Sequence, residues 1–216
     1  MKEAAVNVLK ALEKYKIYII TGVIIAIVAG GASAFLVTQR AKKNEFAWQN
    51  LWKINDDLAT AVQQGKSEKD RTAALSTTAD AYKYMKDNLS SSSAAPWVVF
   101  QLGNVYYRLK NYDEAIRAYQ DFLARYGSHP LYILVKQSLG YAYEEKGLFQ
   151  EAVKQFEDIL AYGNNFLVTE GNWDAGRCYE KLGQVSDAIR SYTQTTELSP
   201  NSNWATMAQY RLSAIQ

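Results

Sequence analysis

Residues 102–123 read LGNVYYRLKNYDEAIRAYQDFL, residues 139–160 read LGYAYEEKGLFQEAVKQFEDIL, and residues 175–196 read AGRCYEKLGQVSDAIRSYTQTT. Set beneath one another, they share four columns. Gly103, Gly140 and Gly176 coincide, as do Tyr106, Tyr143 and Tyr179, then Ala115, Ala152 and Ala188, then Tyr119, Phe156 and Tyr192. The copies are offset by 37 and 36 residues. Similarity at a fixed period of this length marks a stack of repeated helical units.

Within one copy, Leu102, Val105, Tyr106 and Leu109 recur at helical spacing, and so do Ala115, Ile116, Tyr119 and Leu123. Between the two helices Lys110-Asn111, Lys146-Gly147 and Leu182-Gly183 form the turn. Asp113, Gln150 and Ser186 fall near the start of the second helix, and Asp113 and Ser186 are expected to accept hydrogen bonds from its free N–H groups. The small residues in the Gly103 and Ala115 columns let the two helices approach closely. Each hairpin is apolar on two sides, so neighbours must stack to bury it.

The order Leu-Gly, Tyr, Asn-Tyr-x-x-Ala, Tyr or Phe, and a following Pro resembles the tetratricopeptide repeat (TPR) over about residues 96–200. The period exceeds the usual 34 residues, and the first helix lacks the favoured Trp, which is closer to the longer-period repeats of bacterial envelope proteins. The resemblance implies an all-α solenoid with three repeats over 96–200. Residues 201–216, with Trp204, Met207, Ala208, Tyr210 and Leu212, read as a capping helix. It also implies a concave groove lined by Trp97, Phe100, Asn104, Tyr107 and Arg108 in repeat 1. Leu134, Gln137, Tyr141, Glu144 and Glu145 follow in repeat 2, then Glu170, Trp173, Arg177, Glu180 and Lys181 in repeat 3. Aromatics at five of these fifteen places suit a peptide ligand, because they bring contact area at low entropic cost. Asn104 and Arg177 match two members of the carboxylate clamp of TPRs that bind chaperone C-termini. Phe100, Tyr141 and Trp173 occupy other clamp positions, so that ligand is not expected.

Upstream, Phe46, Leu51, Ile54, Leu58 and Val62 predict an amphipathic helix. A polar loop over Gly65–Arg71 and a second helix with Leu75, Ala79, Tyr82, Met85 and Leu89 follow. This pair, residues 38–95, is expected to be a degenerate first repeat that caps the stack. The Ser90–Ser93 tract and Pro96 separate it from repeat 1.

Ahead of it, Ile17 to Val37 contains no charged residue, and 21 helical residues cover roughly the 30 Å of a hydrocarbon core. Ala32-Ser33-Ala34 fits signal-peptidase cleavage, but the apolar run continues through Phe35-Leu36-Val37. A cleavable signal has an apolar stretch of about 7–15 residues, cut where it ends. The expectation is a retained span over 17–37 behind a basic segment at 1–16. The alternative is a soluble periplasmic adaptor for division or outer-membrane coordination, released after Ala34. Gly22, Ala26, Gly30 and Ala34 lie on one face, where a second membrane helix can approach closely; chance also produces such ridges. Lys2, Lys10, Lys14 and Lys16 before the span, against Arg40, Lys42 and Lys43 after it, favour an inside N-terminus.

The net charge of +2 divides unevenly: residues 1–43 carry +5 and the remainder −3. Such a solenoid has no basic face for nucleic acid. Cys178 is the single cysteine and His129 the single histidine, and the chain has no metal-ligand spacing, phosphate-cradling glycine loop or nucleophile elbow. The expectation is therefore no enzyme, no catalytic residue, no metal and no cofactor. A single span, an atypical helical pair and long TPRs together resemble the YfgM-like ancillary subunits of the Sec translocon. That resemblance implies a scaffold in the bacterial inner membrane, its TPR domain in the periplasm, with proteins or peptides as partners.

Overall fold

Hydrophobic columns every 36–37 residues become helix pairs in the computed structural model, which describes residues 2–65, 67–161 and 165–215 and the side chains of 13–65, 67–161 and 167–215. The side chains of Lys2 and Lys10, Lys66 in the expected loop, and Gln216 of the expected cap lie outside them. The described residues form nine helices: α1 (Lys2–Gln64), α2 (Glu68–Asn88), α3 (Ala95–Arg108), α4 (Tyr112–Arg125), α5 (Tyr132–Glu145), α6 (Phe149–Leu160), α7 (Asn165–Lys181), α8 (Val185–Leu198) and α9 (Asn203–Ile215). Successive pairs stack: α1/α2, then α3/α4, α5/α6 and α7/α8, with α9 closing the end.

No single centre holds the hydrophobic core; it recurs at each junction. Ala47, Leu51, Tyr82, Met85, Val98 and Leu102 fill the first junction. Val99, Tyr119, Phe122, Val135 and Leu139 fill the second, and Phe156, Ile159, Tyr192 and Ala208 lie in the third. The glycine column has a definite partner. A Cβ added at Gly103, Gly140 or Gly176 lies inside 3.0 Å of ring carbons of Tyr119, Phe156 or Tyr192 respectively. Each hairpin thus sets an aromatic ring of its second helix against the bare backbone of its first.

The turns are equally regular. Asn111, Leu148 and Gln184 donate their N–H groups to Tyr106, Tyr143 and Tyr179 at 2.9 Å. The residue before each has positive φ: +58° at Lys110, +72° at Gly147 and +71° at Gly183. This is the Schellman close, whose penultimate position favours glycine. Lys110 occupies a conformation the other repeats give to glycine, so Lys110→Gly is expected to stabilise the chain by about 0.5–1 kcal/mol in urea unfolding. Because the turn already closes there, the helix N-caps are Asn111, Leu148 and Gln184, none with a side-chain capping bond. Asp113 and Ser186 lie inside the first turn instead of at its start, which corrects the capping expectation, and Asp113 pairs with Lys146 of the next repeat.

The first pair departs in two places. α2 begins at Glu68, inside the stretch expected as loop, because Ser67 and Asp70 form a reciprocal capping box at 3.1 Å. On α1 the buried series is Ala47, Leu51 and Leu58, with Ile54 half-buried against it, while Phe46 is 55% exposed, one residue out of register. The repeat period nevertheless extends into α2. Tyr82 precedes Tyr119 by 37 residues, is buried, and donates its hydroxyl to Asn55 of α1 at 2.7 Å. Tyr119 does the same to Asn104 of α3 at 2.8 Å.

α1 is one unbroken helix of 63 residues, about 95 Å long. Within it the segment Glu13–Gln64 contains a stretch apolar enough to cross a membrane. Its apolar side chains are uncovered, Ile17 at 72% and Phe35 at 62% exposed, and burial begins at Ala47. A Cβ added at Gly22 or Gly30 meets nothing within 4 Å, so the small-residue ridge with Ala26 and Ala34 is open in the single chain.

Candidate interaction groove

The first helix of each pair lines one face of the stack, and three recesses follow one another along it. The first, about 390 Å³, lies among Trp48, Leu51, Trp52 and Asn55 of α1 and Trp97 and Gln101 of α3. The second, about 170 Å³, brings together Asn104, Tyr107, Arg108, Tyr119, Ser138 and Tyr141. Glu144, Trp173, Arg177, Glu180, Lys181 and Arg211 line the third, about 490 Å³. The face changes character from indole-rich, through phenolic, to charged.

Trp97 is 37% exposed, its ring 6.2 Å from Trp48 and 6.3 Å from His129. Phe100 sits between Tyr119 and Phe122 at 6.2 and 6.5 Å, and so packs α3 on α4. Asn104 accepts from Tyr119 and donates to Gln101. Tyr107 meets Tyr112 edge-on at 5.5 Å, and burial pushes its phenol up to about 12. Arg108 is exposed beside it.

The third recess is built on an ionic network. Arg177 donates to both oxygens of Glu144 at 2.7 and 3.0 Å and to Asp174 at 2.8 Å. The Tyr141 hydroxyl donates to Asp174 at 2.7 Å and lies 3.1 Å from Glu170. Arg211 pairs with Glu180, which also accepts from Tyr192 at 2.9 Å. Trp173 is only 8% exposed, against Tyr192 at 5.3 Å and Trp204 at 6.4 Å. Its indole lies in the floor, because α9 brings Trp204 over it.

The carboxyl of Asp174 is 2% exposed, and burial pushes its pKa up to about 6 against the opposing pull of Arg177. A carboxyl that binds its proton more tightly folded than unfolded adds stability as pH falls toward 4 and loses it as pH rises through about 6. Wild type is therefore expected to gain about 2 kcal/mol relative to Asp174→Asn between about pH 7.5 and 4.5 in paired urea titrations. Cys178 is fully buried and its thiol is pushed up to about 12 by desolvation, the opposite of an activated nucleophile. His129 caps a turn, its Nδ1 accepting from the Leu131 N–H at 3.2 Å.

Trp48, Trp52 and Asn55 had no place in the expected groove. The signal was present: Trp48 and Trp52 are four apart, on the face next to the Leu51 stripe, and Trp52 is 71% exposed.

Residues 92–163 and 138–203 match two family models, both described as tetratricopeptide repeat. Residues 92–203 form a TPR array. A tetratricopeptide repeat protein from Parabacteroides merdae shares the fold with a TM-score of 0.61 at 17% identity, over 77% of this chain and 60% of that one. MamA, residue 41 to its end, from Desulfovibrio magneticus superposes with a TM-score of 0.59 at 13% identity, over 77% and 83% of the two chains. A comparison with curated proteins gives no significant match. The TPR fold is a protein-interaction scaffold, and the three recesses described above lie along the face lined by the first helices of the pairs.

Proposed function

We propose that the chain is a membrane-anchored scaffold whose TPR groove takes an extended segment of a protein partner, acting by binding and not by catalysis. The observation that carries this reading is the continuity of α1. The uncovered apolar run 17–37 passes without a break into the turns that place Ala47, Leu51 and Leu58 in the first core. Anchor and groove are then one rigid piece, with indoles at the membrane-proximal end and the Glu144–Arg177–Glu180–Arg211 charges at the far end. On this reading residues 38–95 are the membrane-proximal cap and 201–216 the distal one.

The lysines before the span favour an inside N-terminus, which puts the groove in the periplasm of a bacterial envelope. The resemblance to the YfgM-like family supports a role beside the Sec translocon and periplasmic chaperones. The ridge Gly22, Ala26, Gly30 and Ala34 is the contact for a membrane-protein partner, and Ala26→Leu/Gly30→Leu is expected to abolish co-purification of that partner. Alkaline extraction of membranes, with mass spectrometry of the chain, tests the anchor. The expected result is a pelleted chain that retains residues 1–34. A released chain beginning at Phe35 supports instead the soluble periplasmic adaptor that Ala32-Ser33-Ala34 allows.

A further inference from the structure

A recess of about 500 Å³ lies outside the groove, between Arg40, Lys43 and Asn44 on α1 and Ser91, Ser92 and Ser93 in the turn joining α2 to α3. The turn is held against α1 by three hydrogen bonds. Ser93 N–H donates to Asn44 Oδ1 at 2.9 Å, Trp48 Nε1 donates to Ser93 Oγ at 3.0 Å, and Lys43 Nζ donates to Ser91 Oγ at 2.8 Å. The lining is cationic, hydroxyl and amide, without a carboxylate. Arg40 makes no hydrogen bond or ion pair among the described residues, and Lys43 has no ion-pair partner there. Two adjacent cations with no counter-charge, facing hydroxyl groups, constitute a site for a tetrahedral anion.

Its height selects the anion. Arg40 and Lys43 follow Val37, the end of the apolar run, by three and six residues. At about 1.5 Å per residue they stand roughly 5–9 Å above the hydrocarbon edge, at the depth of the headgroup layer. We propose that this recess binds the phosphate of an anionic phospholipid headgroup, with Arg40 and Lys43 supplying charge and the Ser91 and Ser93 hydroxyls, which accept from Lys43 and Trp48 and keep their own protons to donate, the remaining hydrogen bonds. The inference rests on reading residues 17–37 as a span. A lipid held there bridges α1 and the α2–α3 turn, and so fixes the base of the solenoid on the bilayer surface.

The test uses the full chain in nanodiscs of equal phosphatidylglycerol and phosphatidylcholine, with native mass spectrometry counting retained lipid. Arg40→Gln/Lys43→Gln is the variant; glutamine at 43 keeps a donor for Ser91. Wild type is expected to retain phosphatidylglycerol over phosphatidylcholine by about tenfold, the variant to lose that preference, and millimolar inorganic phosphate to leave it unchanged. Incorporation with equal retention of both lipids, or no effect of the variant, overturns the lipid site while the anchor stands. Displacement by inorganic phosphate makes this a soluble-anion site and overturns the lipid assignment. A chain that fails to enter nanodiscs overturns the anchor and this inference together.

Discussion

Arg177→Met is expected to cost about 2–4 kcal/mol of unfolding free energy at neutral pH. The guanidinium is shared by Glu144 and Asp174, whose side chains are 18% and 2% exposed. Removing it leaves two neighbouring carboxylates in the floor of the groove, one of them beyond the reach of water. The loss stays below that of a fully buried pair because Arg177 itself is 33% exposed. The cost carries a pH signature. Without Arg177 the Asp174 carboxyl rises further, so acidification to about pH 5 protonates it and recovers part of the loss. Arg177→Met/Asp174→Asn is expected to regain at least half of the single-variant cost at neutral pH. Urea titration at two pH values measures all three. A cost under about 1 kcal/mol that does not change with pH makes the network an ordinary surface pairing instead.

Gly140→Val is the second large effect, expected at about 2–3 kcal/mol. The aromatic ring of Phe156 is fully buried and occupies the space a Cβ at 140 needs. Neither helix can retreat, since α5 and α6 also form the junctions with their neighbours. Gly140→Ala costs less, because alanine regains about 1 kcal/mol of helix propensity. Phe156→Leu should partly rescue Gly140→Val while destabilising the parent chain, and thermal unfolding of the four chains closes the cycle. Additive losses would mean that the ring and the glycine are not partners.

The repeat columns were legible because each is set by one local requirement repeated at a fixed spacing: ring on glycine, a fully buried alanine, positive φ at the turn. What stayed hidden depends on contacts between elements. Tyr82 keeps the 37-residue period, but its first helix lies further upstream, so Asn55 falls out of any alignment with Asn104. Trp173 occupies a groove column, yet α9 delivers Trp204 onto it. Phe46 and Ala47 differ by one residue in a pattern where either register looks amphipathic, and the α2–α3 packing selects Ala47. The Ser90–Ser93 tract reads as a spacer; only the fold brings it to Asn44 and Trp48.

A membrane-held groove that receives a protein segment makes its contacts on the inner face of the stack. Photo-crosslinking amino acids at Arg108 and Lys181, both exposed at the rim of the recesses, and at Lys154, exposed on α6, compare that face with the outside of the stack in native membranes. Adducts of one defined mass from positions 108 and 181, in the membrane pellet and absent from 154, are the predicted result. Adducts from 154 alone, or a chain recovered outside the membrane fraction, would contradict it.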